Sequence, residues 1–200
     1  MPRLRPAHGL LILAFALQAF AAGLWVARST APLPPPAWLE DWQREVFGPL
    51  ADGTLDLGQL HSWQEGALWL TRDQQGAQLS YRGTLGTPDG PWRMEAELVL
   101  SDEERSSLQK ATGIAPGAPD QPLSDAMLEQ LRRQVVASVL LAPSQTLSVG
   151  RLVASFGPPR LRLQTDGGEA WIYPERGLTL LHRNGELVWL QVVPRESLAH

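Results

Sequence analysis

Residues 152–164 read LVASFGPPRLRLQ, and their pattern changes halfway. Up to Phe156 the apolar residues recur at helical spacing; from Arg160 they alternate with polar ones. Between the two patterns stands Gly157-Pro158-Pro159. Glycine supplies a left-handed stop and proline cannot continue a helix, so the stretch predicts a short helix that turns at once into a strand.

Downstream, four segments read as strands: RLRLQT, EAWIYP, GLTLLHR and ELVWLQVV. Asp166-Gly167-Gly168 and Asn184-Gly185 are the turns between them, Asn-Gly being the strongest short hairpin signal. Upstream, Ser148 caps the helix whose face is Val149, Leu152, Val153 and Phe156. Before it, Ser124 reads as an N-cap, and Leu128, Leu131, Val135 and Val139 form a stripe. That stripe predicts a longer helix ending at Pro143, its VVASVLL half apolar nearly all round and so deeply buried. Residues 124–194 thus read as one module: helix, helix, antiparallel meander.

A second module is expected over residues 38–112. AWLEDWQREVF places Trp38, Leu39, Trp42 and Val46 on one helical face, with Gly48-Pro49 as its end. A weakly patterned stretch follows, with a short strand expected near Leu55 and Leu57. ALWLTR, AQLSYRGTL and WRMEAELVL then alternate cleanly, as half-buried antiparallel strands do. Ala77, Leu79, Tyr81 and Leu85 share one face, as do Trp92, Met94, Ala96 and Leu98; Gln75-Gly76 and Asp89-Gly90 sit at turns. Ser101 and Glu104 have the spacing of a capping box, so a helix is expected from Asp102 to Lys110. The Gly/Pro-rich residues 113–123 read as a joint between the modules. The expected class is α+β, with antiparallel sheets packed on helices.

The run from the short helix through FGPP, a strand carrying WIY, and GLTLLHRNGELVWLQV resembles the SmpA/OmlA (BamE-like) family of bacterial envelope domains. Phe156, Gly157 and Pro159 match its helix-ending element, and Trp171 and Tyr173 its aromatic strand. The resemblance covers Thr146 to Val193. It implies two helices on a three-stranded antiparallel sheet, and a non-catalytic role docking onto other envelope proteins during assembly. The family's members carry an N-terminal lipidated cysteine, and this chain has no cysteine.

Residues 1–30 begin with Arg3 and Arg5 and then run apolar from Gly9 to Ala27, broken only by Gln18. Such a run, about 28 Å long as a helix, matches a hydrocarbon core. It reads as an uncleaved inner-membrane anchor or, with Ala19-Phe20-Ala21 as cleavage site, as a signal peptide. Arginines before the span leave the N-terminus in the cytoplasm and the remainder in the periplasm. The Pro-rich residues 31–37 make a stiff spacer.

Three of the 17 basic residues (Arg3, Arg5 and Arg28) precede residue 31, leaving 14 against 21 acidic ones, a net charge of −7. That balance disfavours nucleic acid as a partner. Absence of cysteine excludes disulfides, thiolate metal sites and cysteine nucleophiles. No metal, nucleotide or nucleophile template is present. TLSVG around Ser148 misses the nucleophile elbow, having Thr146 for its first glycine and no strand before the serine. His61 and His182, the two histidines inside the modules, are too few and too far apart in sequence for a metal site. No catalytic, cofactor or metal residue is assigned, and the expectation is a protein without enzymatic activity.

Trp171 and Tyr173 alternate with Ala170 and Ile172, so only one of these pairs can face the helices. If the aromatic pair faces outward, it forms an interface with Arg160 and Arg162 beside it. On that reading the protein is an assembly or accessory factor that binds other envelope proteins. A peptidoglycan or carbohydrate binder with a row of exposed tryptophans, and an envelope enzyme with an unfamiliar site, are the alternatives.

Overall fold

A computed structural model describes residues 34–73, 76–113 and 118–198. The apolar span, the cleavage site, the start of the spacer, Gln74, Gln75 and the middle of the joint lie outside the described residues. No described helix is long and apolar enough to cross a membrane.

The fold is α+β, and its frame is a single antiparallel sheet of nine strands. In chain order these are β1 (Gly66–Asp73), β2 (Gly76–Thr87), β3 (Gly90–Leu98), β4 (Gln121–Pro122), β5 (Val136–Pro143), β6 (Leu161–Thr165), β7 (Gly168–Tyr173), β8 (Leu178–Arg183) and β9 (Glu186–Val192). Across the sheet they run β4-β1-β2-β3-β5-β9-β8-β7-β6. The helices are α1 (Ala37–Trp42), α2 (Gly48–Ala51), α3 (Leu57–Trp63), α4 (Asp102–Thr112), α5 (Asp125–Gln130) and α6 (Val149–Phe156).

The two expected modules are therefore not separate. β3 pairs with β5 from Trp92↔Pro143 to Leu98↔Val136, and β5 pairs with β9, so strands from both sides of the joint share one sheet and one core. The cause is the segment VVASVLL. The long helix expected from Ser124 to Pro143 is instead a short helix, α5, capped by Ser124 as expected, then a turn, then strand β5. Helical spacing from Leu128 to Val139 was real but accidental. An apolar run of this length fits a buried strand as well as a helix, and β-branched valines favour the strand once two partners can take its backbone groups.

Two other boundaries differ. The first helix does not end at Gly48-Pro49: a π turn over Gln43–Phe47 joins α1 to α2, and the Gly48 N–H reaches back to the Gln43 carbonyl. Pro49 then stands in the first turn of α2, where a missing N–H costs nothing. The strand expected near Leu55 and Leu57 shrinks to one bridge, Asp56↔Val135. Asp56 instead caps α3 in a reciprocal box with Gln59.

The alternating strands behave as read. Ala77, Leu79, Tyr81, Leu85, Trp92, Met94, Ala96 and Leu98 are all buried on one face. Helices cover that face through named contacts. Trp38 and Trp42 of α1 pack their rings on Trp92, at 5.3 and 5.2 Å between centroids. The His61 ring of α3 meets Tyr81, and Phe156 of α6 meets Tyr173. Among the described helices only α4, opened by the expected Ser101–Glu104 box, lies on the other face, where Arg105 Nη1 donates to Gln78 Oε1 at 2.6 Å.

A polar knot fastens the helical layer to the hairpin β2–β3. Asp89, in the hairpin turn, accepts from Arg151 Nη1 of α6 at 2.7 Å and from Trp38 Nε1 of α1 at 2.9 Å. These two hydrogen bonds, the one from Arg151 foremost, hold the Asp89 carboxyl below its usual range. A carboxylate depressed in the fold adds stability above its unfolded pKa, about 3.9, and loses it as pH falls through the folded value. Asp89→Asn should therefore lower stability at pH 7 and flatten its decline below about pH 4. Denaturant titrations at pH 7 and pH 3 check this; equal losses at both would show that the charge is not what matters.

The stop at Gly157 is real, with φ +78°. Its ψ of −169° puts it in an extended mirror region that essentially only glycine occupies, not in the left-handed helical well. A Cβ added there meets nothing within 4 Å, so a substitution is resisted by backbone strain alone. Gly157→Val should cost about 1–3 kcal/mol. Thermal melting of the full chain reads this out, and an unchanged transition would show that the backbone relaxes freely.

Candidate functional site

The helix stop and the aromatic strand of the opening motif are tied to each other. Tyr173 Oη donates to the Gly157 carbonyl at 3.2 Å, and the Tyr173 and Phe156 rings lie 5.8 Å apart. Burial raises the Tyr173 pKa, against the opposing charges of Arg162 and Arg176. At 5% exposure Tyr173 is core. The expected interface of Trp171 and Tyr173 is thus corrected: the aromatic pair faces the helices, because Tyr173 is what closes α6 onto the sheet.

Trp171 lies on the same face, half-buried, between two neighbours. Arg162, its cross-strand partner, holds its guanidinium 4.8 Å from the ring, and His182 packs edge-on at 4.5 Å. Arg162 therefore flanks Trp171 as the sequence suggested, but as cover for a packed ring. Arg160 turns instead to Glu175, at 2.7 Å on the surface. His182 is buried beside Leu178 and Leu180, with Nε2 at 3.3 Å from Glu169 Oε2. Among the described residues neither of its ring nitrogens makes a hydrogen bond, nor does Trp171 Nε1.

The other histidine is structural too. Tyr81 Oη donates to the Gln64 carbonyl at 2.8 Å, so its oxygen is left to accept from His61 Nδ1 at 2.7 Å. This pins α3 on the sheet, and burial, with Glu65 nearby, pushes the Tyr81 hydroxyl up to about 12. Ser148 stands at the N-cap position of α6, but its side chain makes none of the expected capping hydrogen bonds; its backbone is bridged to Glu186 instead. No group of three or more metal-ligating side chains occurs among the described residues.

What the structure presents to solvent is the opposite face of the sheet. Register places one residue per strand in a continuous row: Arg82, Glu95, Leu140, Gln191, Thr179, Ile172 and Leu161. Beside it run Thr84 and Arg93 at one end, and Trp189, Leu181, Ala170 and Leu163 at the other, where Leu181 and Ala170 are themselves buried between half-buried Trp189 and exposed Leu163. The face is therefore divided. Its β2–β3 side is polar and carries an Arg82–Glu95 pair at 2.9 Å; its β6–β9 side is apolar. Leu161 and Leu163 are each 51% exposed. No described helix covers this apolar half.

Sequence reasoning missed these residues because it followed the aromatics. The signal was present in RLRLQT, where Leu161 and Leu163 alternate with arginines. It becomes decisive only once Tyr173 is known to face α6, since the register then sends both leucines outward. Tryptophan does not line this face in a row: partly exposed Trp69 and Trp189 lie on strands four positions apart, about 19 Å across the sheet. A hollow of about 660 Å³ beside Trp69, lined by Arg82, Arg93, Glu95 and Leu140, lies on the polar side.

Comparison with protein-family models, with curated proteins and with solved structures found no match to this chain.

Proposed function

We infer that this is a non-catalytic cell-envelope protein, an assembly or accessory factor that binds other envelope proteins through the apolar half of its open sheet face. The observation that carries the reading is the open-face patch of exposed Leu161 and Leu163 with half-buried Ile172 and Trp189, on the same face as the charged residues of β2 and β3. Contiguous exposed apolar side chains rimmed by polar ones mark sites of protein interaction. The apolar run at residues 9–27 supports an inner-membrane anchor with the folded part in the periplasm, or a secreted form if that run is cleaved. Kinship with the SmpA/OmlA (BamE-like) family belongs to the same proposal, resting on FGPP and WIY, whose hydrogen-bonded tie gives the motif a structural purpose.

In-cell crosslinking from a photoreactive residue placed at Thr179, the cross-strand neighbour of Ile172 on the open face, identifies the partner. Ile172→Ser/Trp189→Ala should then weaken its binding by about thirtyfold or more, a loss of about 2 kcal/mol typical of interface anchors. Its circular dichroism should stay native. An unchanged affinity in the folded variant would overturn the patch as the interface. Loss of cellular function on His61→Ala or His182→Ala, with folding and partner binding intact, would favour an enzyme instead.

A further inference from the structure

The two edges of the sheet are built differently. At one end stands β4, only two residues long and containing Pro122, which has no N–H to offer. Short strands and prolines are the usual means of closing an edge to further pairing. At the other end stands β6, and every one of its residues, Leu161 to Thr165, is exposed. It carries no proline and no bulge.

We propose that β6 is the pairing edge for a second copy of this chain, joined antiparallel about a twofold axis at Leu163. This is independent of what binds the open face, since it uses the backbone edge of the strand. The argument is the charge order of residues 160–166, RLRLQTD, basic at one end and acidic at the other. Antiparallel pairing about Leu163 sets Arg160 opposite the second copy's Asp166, Leu161 opposite Thr165, Arg162 opposite Gln164, and Leu163 opposite itself. Parallel pairing sets arginine on arginine. An axis at Arg162 does the same at the centre of the seam, and like charges directly opposite destabilise a strand pair. An axis at Gln164 keeps one charge match but separates the leucines. Arg160 is free to change partner, because its pair with Glu175 is between side chains 68% and 79% exposed and so weak. The product is a sheet continuous across two copies, with Leu161 and Leu163 from each side in one apolar strip.

The absence of cysteine makes the test clean. In cells expressing the full chain, Leu163→Cys should form a dimer on oxidation or with a short bismaleimide. Arg162→Cys and Gln164→Cys should each stay monomeric alone and crosslink to each other when coexpressed. A control, Thr146→Cys on the exposed loop before α6, should not crosslink. Leu163→Lys, which places two lysines at the axis, should convert a sedimenting dimer into a monomer with a native circular-dichroism spectrum. The proposal is overturned if Leu163→Cys dimerises no better than the control, if Gln164→Cys alone dimerises in its place, or if the wild-type chain sediments as a monomer. Capture of one different protein by both Leu163→Cys and Arg162→Cys, which face opposite sides of the sheet, in place of the homodimer would also overturn it and assign the edge to a foreign strand.

Discussion

Trp92→Ala is expected to cost about 3–5 kcal/mol, the largest loss from any single side-chain truncation here. Trp92 is 1% exposed on β3 and sits under both tryptophans of α1. Trp38 and Trp42 also touch each other at 4.4 Å, and Trp42 reaches Trp63 of α3 at 6.0 Å. Removing the central ring leaves a cavity that the others cannot fill, because Trp38 is also held by its hydrogen bond to Asp89. Since domains of this kind are stable by about 5–15 kcal/mol, the variant stands near the threshold of folding. Urea titration of the full chain measures the effect. A loss under about 1 kcal/mol would mean that the aromatic cluster collapses freely and is not the clamp between α1 and the sheet.

Gly177→Val should be comparably severe, for a different reason. Gly177 joins β7 to β8 with φ +62°, and a Cβ built there would stand 2.0 Å from the Val193 carbonyl oxygen and 3.4 Å from Ala51 Cβ. The first obstacle is backbone, held by the hydrogen bond from Val193 N–H to the Gly177 carbonyl. Strain for a left-handed non-glycine residue costs about 1–3 kcal/mol, and the clash must also break that bond or push β9 off its neighbour. A total above about 3 kcal/mol is expected. Hydrogen exchange should show protection lost first at Leu178 and Val192, which pair beside the site. Uniform loss across the sheet would instead show that the turn is not the weak point.

Where local chemistry suffices, the sequence determined the outcome. Capping at Ser101 and Ser124, the stop after Phe156, the Asn184-Gly185 hairpin and the buried faces of β2 and β3 follow from short-range rules: a side-chain oxygen for an orphan N–H, positive φ, a period of two. Tertiary structure alone decided two matters. VVASVLL is apolar at either period, so whether it winds or extends depended on β3 and β9 being there to receive its backbone, and that choice fused two expected modules into one sheet. The alternation of β7 likewise allowed either face inward. Tyr173 settled it by meeting Phe156 and the Gly157 carbonyl, which turned the aromatic pair into core and left Leu161, Leu163 and Ile172 to the solvent side. A strand's period tells which residues travel together; which way they point is set by what packs against them.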